Sequence, residues 1–226
     1  DLFDADEDEP YVRRDGITDW SLETFRRHYR DPSITKEDIF WYVYAVLHAP
    51  DYRARFNADL QKVHPRIPLV GDFRRFSDAG RRLGDLHVNF ESAEPYLVTF
   101  KEGDHSLINE AQDDPVKFYR VKKMKFGGKG KEKDKTTVIY NDNITMQNIP
   151  LEAYDYVVNG KPALEWVMER QVVKQDKASG IVNDANDYAN ETIGDPRYPL
   201  DLFRRVITVS LETMRIVNGL PKLDID

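Results

Sequence analysis

The 226-residue chain contains no cysteine, which excludes a disulfide framework and any thiolate metal site. That absence fits a reducing, cytoplasmic setting. Long apolar runs are missing too. None approaches the roughly 20 residues that a bilayer span requires, so no membrane role is expected. Histidine is sparse, at His28, His48, His64, His87 and His105. No two of these stand four residues apart, the spacing that puts two ring nitrogens on one helical face for zinc. Each is read as a packing or surface residue. The familiar catalytic signatures are also missing. Gly130-Lys131 is followed by Glu132, where a phosphate loop needs Ser or Thr. There is no G-x-G-x-x-G for a dinucleotide or methyl donor, and no G-x-S-x-G nucleophile elbow. No Asp-x-Lys or Glu-x-Lys triplet occurs, which argues against the metal-dependent nucleases that use one.

What remains is a chain able to build a core, with 40% hydrophobic and 12% aromatic residues. Its first residues, "DLFDADEDEP", are acidic, the reverse of a signal peptide. Residues 1–16 read as a solvated acidic leader or linker. The first residue is not methionine, and the chain reads as a fragment of a longer protein. Helical periodicity begins after the leader. In "SITKEDIFWYVYAVLHAPDY", Thr35 and Asp38 have capping-box spacing, and Ile39, Val43, Val46 and Leu47 share a face. Pro50 breaks this helix and opens a second. Pro65 and Pro68 make "HPRIPLV" an extended connector. Phe76, Ala79, Leu83, Leu86 and Phe90 mark a further helix. Beyond Pro95, "PYLVTF", "VKFYRVKKMKF" and "TTVIY" read as strands, the last two flanking a turn, "GGKGKEKDK". Helices return with "PLEAYDYVV" and "PALEWVMERQVV", on either side of an Asn159–Gly160 turn. "DKASGIVNDANDYAN" is a polar loop, and "PLDLFRRVITVSLETMRIV" a last helix. The expected fold is α+β, with a helix-rich N-terminal half, a small, mostly antiparallel sheet carrying a lysine-rich hairpin, and C-terminal helices.

That hairpin is the chain's main anomaly. From Lys117 to Lys135 there are eight lysines and one arginine against Glu132 and Asp134, a local charge of +7 within a net charge of −7. Lysines on a hairpin tip can neutralise DNA phosphates and release condensed counterions. Gly127, Gly128 and Gly130 permit positive φ or a close backbone approach, and a two-stranded ribbon fits the major groove. Two other readings stand beside this one. The lysines can keep an edge strand from pairing with another chain, or dock on an acidic protein surface. Asn141, Asn143 and Gln147 follow the second strand, and Asn and Gln can contact adenine edges. Lys174, Asn183 and Asn186 lie in the second polar loop, where Asp184 and Asp187 oppose a simple electrostatic role.

Several long blocks carry a family likeness. "ITDWSLETFRRHY", "ITKEDIFWYVYAVLHAPDYRARF", "PRIPLV", "AGRRLGDLHVNFE", "YNDNITMQNIPLEAYDYVVNGKPALEWVMER" and "SGIVNDAND" closely resemble the C-terminal specificity region of type ISP restriction–modification enzymes. The resemblance covers residues 16 to about 220. It implies a target-recognition domain over residues 17–226 that reads duplex DNA for the methyltransferase and helicase-like domains of the same polypeptide. No catalytic residue is carried across, because neither the Asn-Pro-Pro-Tyr methyltransferase motif nor the helicase motifs occur here. S-adenosylmethionine, ATP and Mg would serve the parent enzyme, and no cofactor is expected for this chain. Lys122, Lys123, Lys125, Lys129, Lys131, Lys133 and Lys135 are the expected phosphate contacts. Asn141, Asn143 and the "DKASGIVNDAND" loop are candidates for base or groove contacts. Two alternatives are a small nuclease or transferase with an unrecognised site, and an interaction module for acidic surfaces.

Overall fold

The computed structural model describes residues 15–60, 62, 64–103, 113–130 and 132–224. They divide into two units, one running to Gly84 and taking in the stretch from Ile216 onward, the other Asp85–Arg215. The acidic leader lies outside the described residues except for Asp15 and Gly16.

The first unit is helical: α1 (Asp19–Tyr29), α2 (Lys36–His48), α3 (Pro50–Leu60) and most of α4 (Phe73–Val88). The capping box forms as expected. The Asp38 amide donates to Thr35 Oγ1 at 3.1 Å and the Thr35 amide to Asp38 Oδ2 at 2.9 Å, which satisfies two otherwise orphaned donors. The buried face of α2 is Ile39, Tyr42, Ala45 and Val46, slightly rotated from the aliphatic stripe expected. Tyr42 accounts for the rotation, because its hydroxyl has backbone partners inside. It donates to the Pro68 carbonyl at 2.6 Å and accepts from the Val70 amide at 3.0 Å. Tyr52 donates to the Arg66 carbonyl at 2.8 Å and Tyr29 to that of Val70 at 2.6 Å. The proline-rich connector cannot pair with itself, and tyrosine hydroxyls satisfy its backbone groups instead. Gly80 and Gly84 let α4 approach α2. A Cβ at Gly80 would stand 1.8 Å from the Trp41 carbonyl oxygen, and one at Gly84 2.0 Å from the Trp41 ring.

The second unit is built on a four-stranded antiparallel sheet of β1 (Thr99–Phe100), β2 (Lys125–Lys129), β3 (Glu132–Ile139) and β4 (Thr145–Gln147), in spatial order β1-β4-β3-β2. Around it stand α5 (Pro115–Tyr119), α6 (Ala163–Arg170) and the part of α7 (Tyr198–Asn218) that ends at Arg215. Val121, Met124, Val138, Tyr140, Ile144 and Met146 share one core with Leu164, Leu200, Phe203 and Ile207. Two small hairpins complete the unit: β5 (Val157–Val158) with β6 (Lys161–Pro162), and β7 (Lys174–Gln175) with β8 (Val182–Asn183). Asn159 and Gly160 turn the first of these at φ 49° and 78°, as a type I′ turn demands.

The fold is therefore α+β, as expected, with local differences, one being that the expected polar loop "DKASGIVNDANDYAN" contains β8 and short helical turns. Residues 115–119 form a helix and not a strand, because Asp114 caps it through the Lys117 amide at 3.0 Å and Pro115 takes its first turn. "GGKGKEKDK" is largely paired strand, with its turn confined to the tip. "PLEAYDYVV" is a short 3₁₀ turn, Leu151–Tyr154, followed by β5. Among the described residues no helix is long and apolar enough to cross a membrane.

Candidate nucleic-acid interface

The lysine hairpin β2–β3 lies at the sheet edge and depends on its glycines. Lys125 pairs with Ile139 and Phe126 with Val138, but Gly127 pairs with Asp134. Three residues of β3, Lys135 to Thr137, therefore bulge outward opposite that step. The Asp134 carboxylate holds the bulge, accepting from the Thr136 hydroxyl at 2.6 Å and the Thr136 amide at 2.9 Å. The Thr136 hydroxyl, first among these contacts, keeps the Asp134 carboxyl below the usual carboxylate range. Gly128 has φ +90°, and a Cβ there would stand 2.1 Å from the Glu132 carbonyl oxygen. Only glycine fits that position.

The predicted lysines separate into groups. Lys122, Lys123 and Lys125 line a groove of about 490 Å³ together with Lys117, Arg120, Ile139, Asn141, Asp142 and Asn143. Lys123 and Lys125 also border a second depression, of about 480 Å³, with Lys133, Gly127, Gly128 and Glu165. These two lysines thus form a ridge between two hollows. Among the described residues, Lys117, Lys122, Lys123, Lys125 and Lys129 have no carboxylate at ion-pair distance. Lys133 lies over the Phe126 ring, 5.8 Å from its centroid. Lys135 is different: its Nζ is 2.8 Å from Glu165 Oε1 and 5.2 Å from the Tyr154 ring centroid. Its charge is spent inside the fold. Lys131 lies outside the described residues.

The two asparagines also differ. Asn141 uses its whole amide locally. Its Nδ2 donates to the carbonyls of Phe118 (2.8 Å) and Arg120 (3.1 Å), and its Oδ1 accepts from the amides of Asn143 and Ile144, both at 2.9 Å. It shapes the turn after β3 and holds the Arg120 segment against it. Asn143 is exposed and has one long contact, Nδ2 to the Phe118 carbonyl at 3.3 Å.

Sequence reasoning passed over Lys117 and Arg120 as individual residues, although both belong to the +7 stretch. It also missed the link between the groove and the second polar loop. The Arg120 guanidinium pairs with the buried Asp184 carboxylate. Asn186 clamps Val121 from both sides, accepting its amide at 2.9 Å and donating to its carbonyl at 2.8 Å. The Val173 amide donates to the Lys122 carbonyl at 2.9 Å. Asp184, which counted against a charged role for that loop, is one of the residues that fasten it to the groove.

The histidines that sequence assigned to packing include His48, whose ring nitrogen lies 2.8 Å from the Tyr44 carbonyl oxygen and whose burial pushes its pKa down. His87 stacks on Tyr156 with 5.3 Å between ring centroids. No three His, Asp or Glu side chains among the described residues are arranged to hold a metal ion.

Comparison with known proteins gives the groove a context. The family model described as the Type ISP C-terminal specificity domain matches residues 2–202. Among solved structures, the chain is 41% identical, with a TM-score of 0.70, to a nuclease-deletion mutant of the Type ISP restriction-modification enzyme LlaGI in complex with a DNA substrate mimic; the match covers 85% of this chain and 14% of that one. It is 36% identical, with a TM-score of 0.76, to the ATP-dependent Type ISP restriction-modification enzyme LlaBIII bound to DNA, over 93% of this chain and 12% of that one. It is 33% identical, with a TM-score of 0.72, to DrdV in its DNA complex, over 92% of this chain and 20% of that one. No curated protein matches significantly. The chain thus spans only 12–20% of the length of these relatives, and it belongs to the Type ISP C-terminal specificity domain family.

Proposed function

We propose that this chain recognises a specific sequence in double-stranded DNA for a longer Type ISP restriction–modification enzyme, with Lys117, Lys122, Lys123, Lys125, Lys129 and Lys133 engaging phosphates. The observation that carries the reading is the groove. Among the described residues, four lysines without an ion-pair partner line it together with one carboxylate, Asp142, in a chain whose net charge is −7. Such a concentration opposes the chain's own balance and is stabilised by a polyanion. Lys131 joins this set on sequence grounds. Lys135 contributes less, since Glu165 already pairs with it. Asn143 remains free enough for a base or groove contact, whereas Asn141 acts by shaping the turn. Residues 17–226 are the recognition domain, residues 1–16 the leader or linker, and the setting is cytoplasmic.

The chain itself carries no catalysis in this reading. It positions an adenine methyltransferase and a translocase–nuclease of the same polypeptide, and S-adenosylmethionine, ATP and Mg act there. Phosphate contacts fix register without carrying sequence, so the groove is the affinity element and something beside it must read bases.

The test is a salt titration of duplex binding with Lys122, Lys123 and Lys125 changed together to Gln. Each lost phosphate contact should lower the log–log slope by about 0.9, so three should lower it by about 2.7. Random and selected duplexes should lose affinity alike. An unchanged slope in a folded variant overturns the phosphate role.

A further inference from the structure

The β7–β8 ribbon has an unusual exposure. Lys174 pairs with Asn183 and Gln175 with Val182, and all four side chains are exposed. A ribbon packed on a core hides one face; this one hides neither. Ile181 is 62% exposed and Val182 52%, so the ribbon places two β-branched aliphatic side chains in water without using them for folding. Directly paired residues point to the same face, and neighbours along a strand alternate. One face therefore carries Lys174, Asn183 and Ile181, the other Gln175 and Val182. Each face presents one amide beside one aliphatic side chain.

The ribbon is also preorganised. The Asp176 carboxylate accepts from the Ser179 amide (2.8 Å), the Ala178 amide (3.0 Å) and the Ser179 hydroxyl (2.9 Å). The Asp176 amide donates to the Ile181 carbonyl at 2.8 Å, and Gly180 closes the tip at φ +74°. Both roots of the ribbon are fixed to the wall of the basic groove, Val173 on Lys122, and Asp184 and Asn186 on Arg120 and Val121. The ribbon is thereby fixed to the backbone that carries Arg120, Val121 and Lys122.

We infer that the β7–β8 ribbon is the base-reading element, entering the major groove of duplex DNA to recognise A·T pairs. The chemistry selects both the groove and the bases. An amide can contact adenine N6 and N7 bidentately, and an aliphatic side chain can contact the thymine methyl; both features lie in the major groove, and the minor groove lacks the methyl. Asn183 and Gln175 supply the amides, although one Gln175 N–H already reaches the Gly180 carbonyl at 3.2 Å. Ile181 and Val182 supply the methyl contacts. Lys174 and Lys177 border the ribbon with positive charge, and the lone carboxylate at its tip, Asp176, is turned onto its own backbone. The inference rests on the proposed DNA-recognition function and names the residues that give that function its specificity.

The experiment is selection from a pool of random-sequence duplexes, followed by binding of the enriched duplex. Wild type should enrich a motif containing A·T pairs. Asn183→Ala and Gln175→Ala should lower the preference at one such pair each by roughly 5- to 150-fold, the range of one good base contact. Their affinity for random duplex should stay within about twofold, because phosphate contacts are untouched. A second readout needs no loss of an amide. Replacing thymine by uracil in the enriched duplex removes only the C5 methyl, and it should weaken wild type but not the Ile181→Ser/Val182→Ser protein. Ribbon variants that fold and enrich the same motif as wild type, together with wild-type binding indifferent to uracil, overturn the ribbon inference alone. A wild type that binds duplexes without enriching any motif, or binds none, overturns the recognition function and the inference with it.

Discussion

The α2–α4 ionic network of the first unit and the lysine groove of the second use positive charge in opposite ways. In the first unit Arg74 reaches Asp31 at 2.7 Å and Asp38 at 3.1 Å, Arg81 reaches Glu37 at 2.6 Å and Asp38 at 3.0 Å, and Lys36 reaches Asp15 and Asp19 at 3.0 and 2.7 Å. Arg74 and Arg81 tie α4 to the capped start of α2, and Lys36 ties that same start to Asp15 and to the start of α1. In the second unit Lys117, Lys122, Lys123 and Lys125 face a common groove without an ion-pair partner among the described residues. A cation already matched by carboxylates gains little from a phosphate. Unmatched lysines crowded together repel one another until an anion arrives. The contrast separates charge that serves the fold from charge held for a ligand, which a count of Lys and Arg cannot do.

The largest expected effect comes from inverting the groove. Lys122, Lys123 and Lys125 changed together to Glu should lower duplex affinity at 50 mM salt by more than ~100-fold, since three favourable phosphate contacts become repulsive. The melting curve should move little, because all three side chains are exposed. The mirror experiment is Arg74→Ala with Arg81→Ala. Each exposed ionic network should contribute about 1 kcal/mol at most, so stability should drop modestly while duplex affinity holds. If the arginine pair weakens DNA binding as strongly as the lysine triple, the contrast between the units is wrong.

Asn141 gives a smaller effect that tests which side of that contrast it belongs to. Asn141→Ala abandons two backbone carbonyls and two amides, a loss of about 1–3 kcal/mol of stability where such groups are buried. Affinity should fall for all duplexes in parallel with the disturbance of the Arg120 segment, with no change of base preference. A selective loss for one sequence would return Asn141 to base reading.

Acid should separate the units next. The Ser33 hydroxyl, and then the Arg74 guanidinium, hold the Asp31 carboxyl at about 2. Burial raises the Asp38 carboxyl, but the Thr35 amide and Arg81 more than offset it and leave it lowered. A depressed folded pKa gives stability that is complete above the unfolded value of roughly 4 and is lost as pH falls toward the folded value. Stability supplied by this network should therefore hold to pH ~4 and decline below it. Acid titration of wild type against Arg74→Ala checks this, the variant declining less steeply below pH ~4.

Much of this was legible in the sequence, for identifiable reasons. The capping box at Thr35, the break at Pro50, the Asn159–Gly160 turn and the glycines of the lysine hairpin are local chemistry, and local chemistry is written in neighbouring residues. The strands of the hairpin tip were not legible, because residues 127–135 contain no apolar side chain and so show no period-2 alternation to count. Residues 115–119 alternate like a strand, yet Asp114 and Pro115 make them a helix. The attachment of the second loop through Asp184 and Asn186 was also hidden. It joins residues 64 and 65 positions apart, and nothing in either stretch names its partner.

The smallest effect sharpens the contrast within a single hairpin. Lys129 and Lys135 lie six residues apart, and composition treats them alike. Lys129 is exposed near the tip with no ion-pair partner among the described residues. Lys135 is half-buried, paired with Glu165 and set over Tyr154 and Phe126 at 5.2 and 5.6 Å. Lys129→Gln should lower the salt slope of duplex binding by about 0.9 and leave the melting curve in place. Lys135→Gln should do the reverse. It loses a partly exposed ion pair and two ring contacts, a stability change of about 1 kcal/mol, and it should leave the salt slope within error of wild type. The pairing is what decides: a lysine whose charge Glu165 already neutralises displaces few counterions when a phosphate approaches. Equal slope losses for the two variants would mean that the Lys135–Glu165 pair opens when DNA binds, and that every lysine of the hairpin then belongs to the ligand.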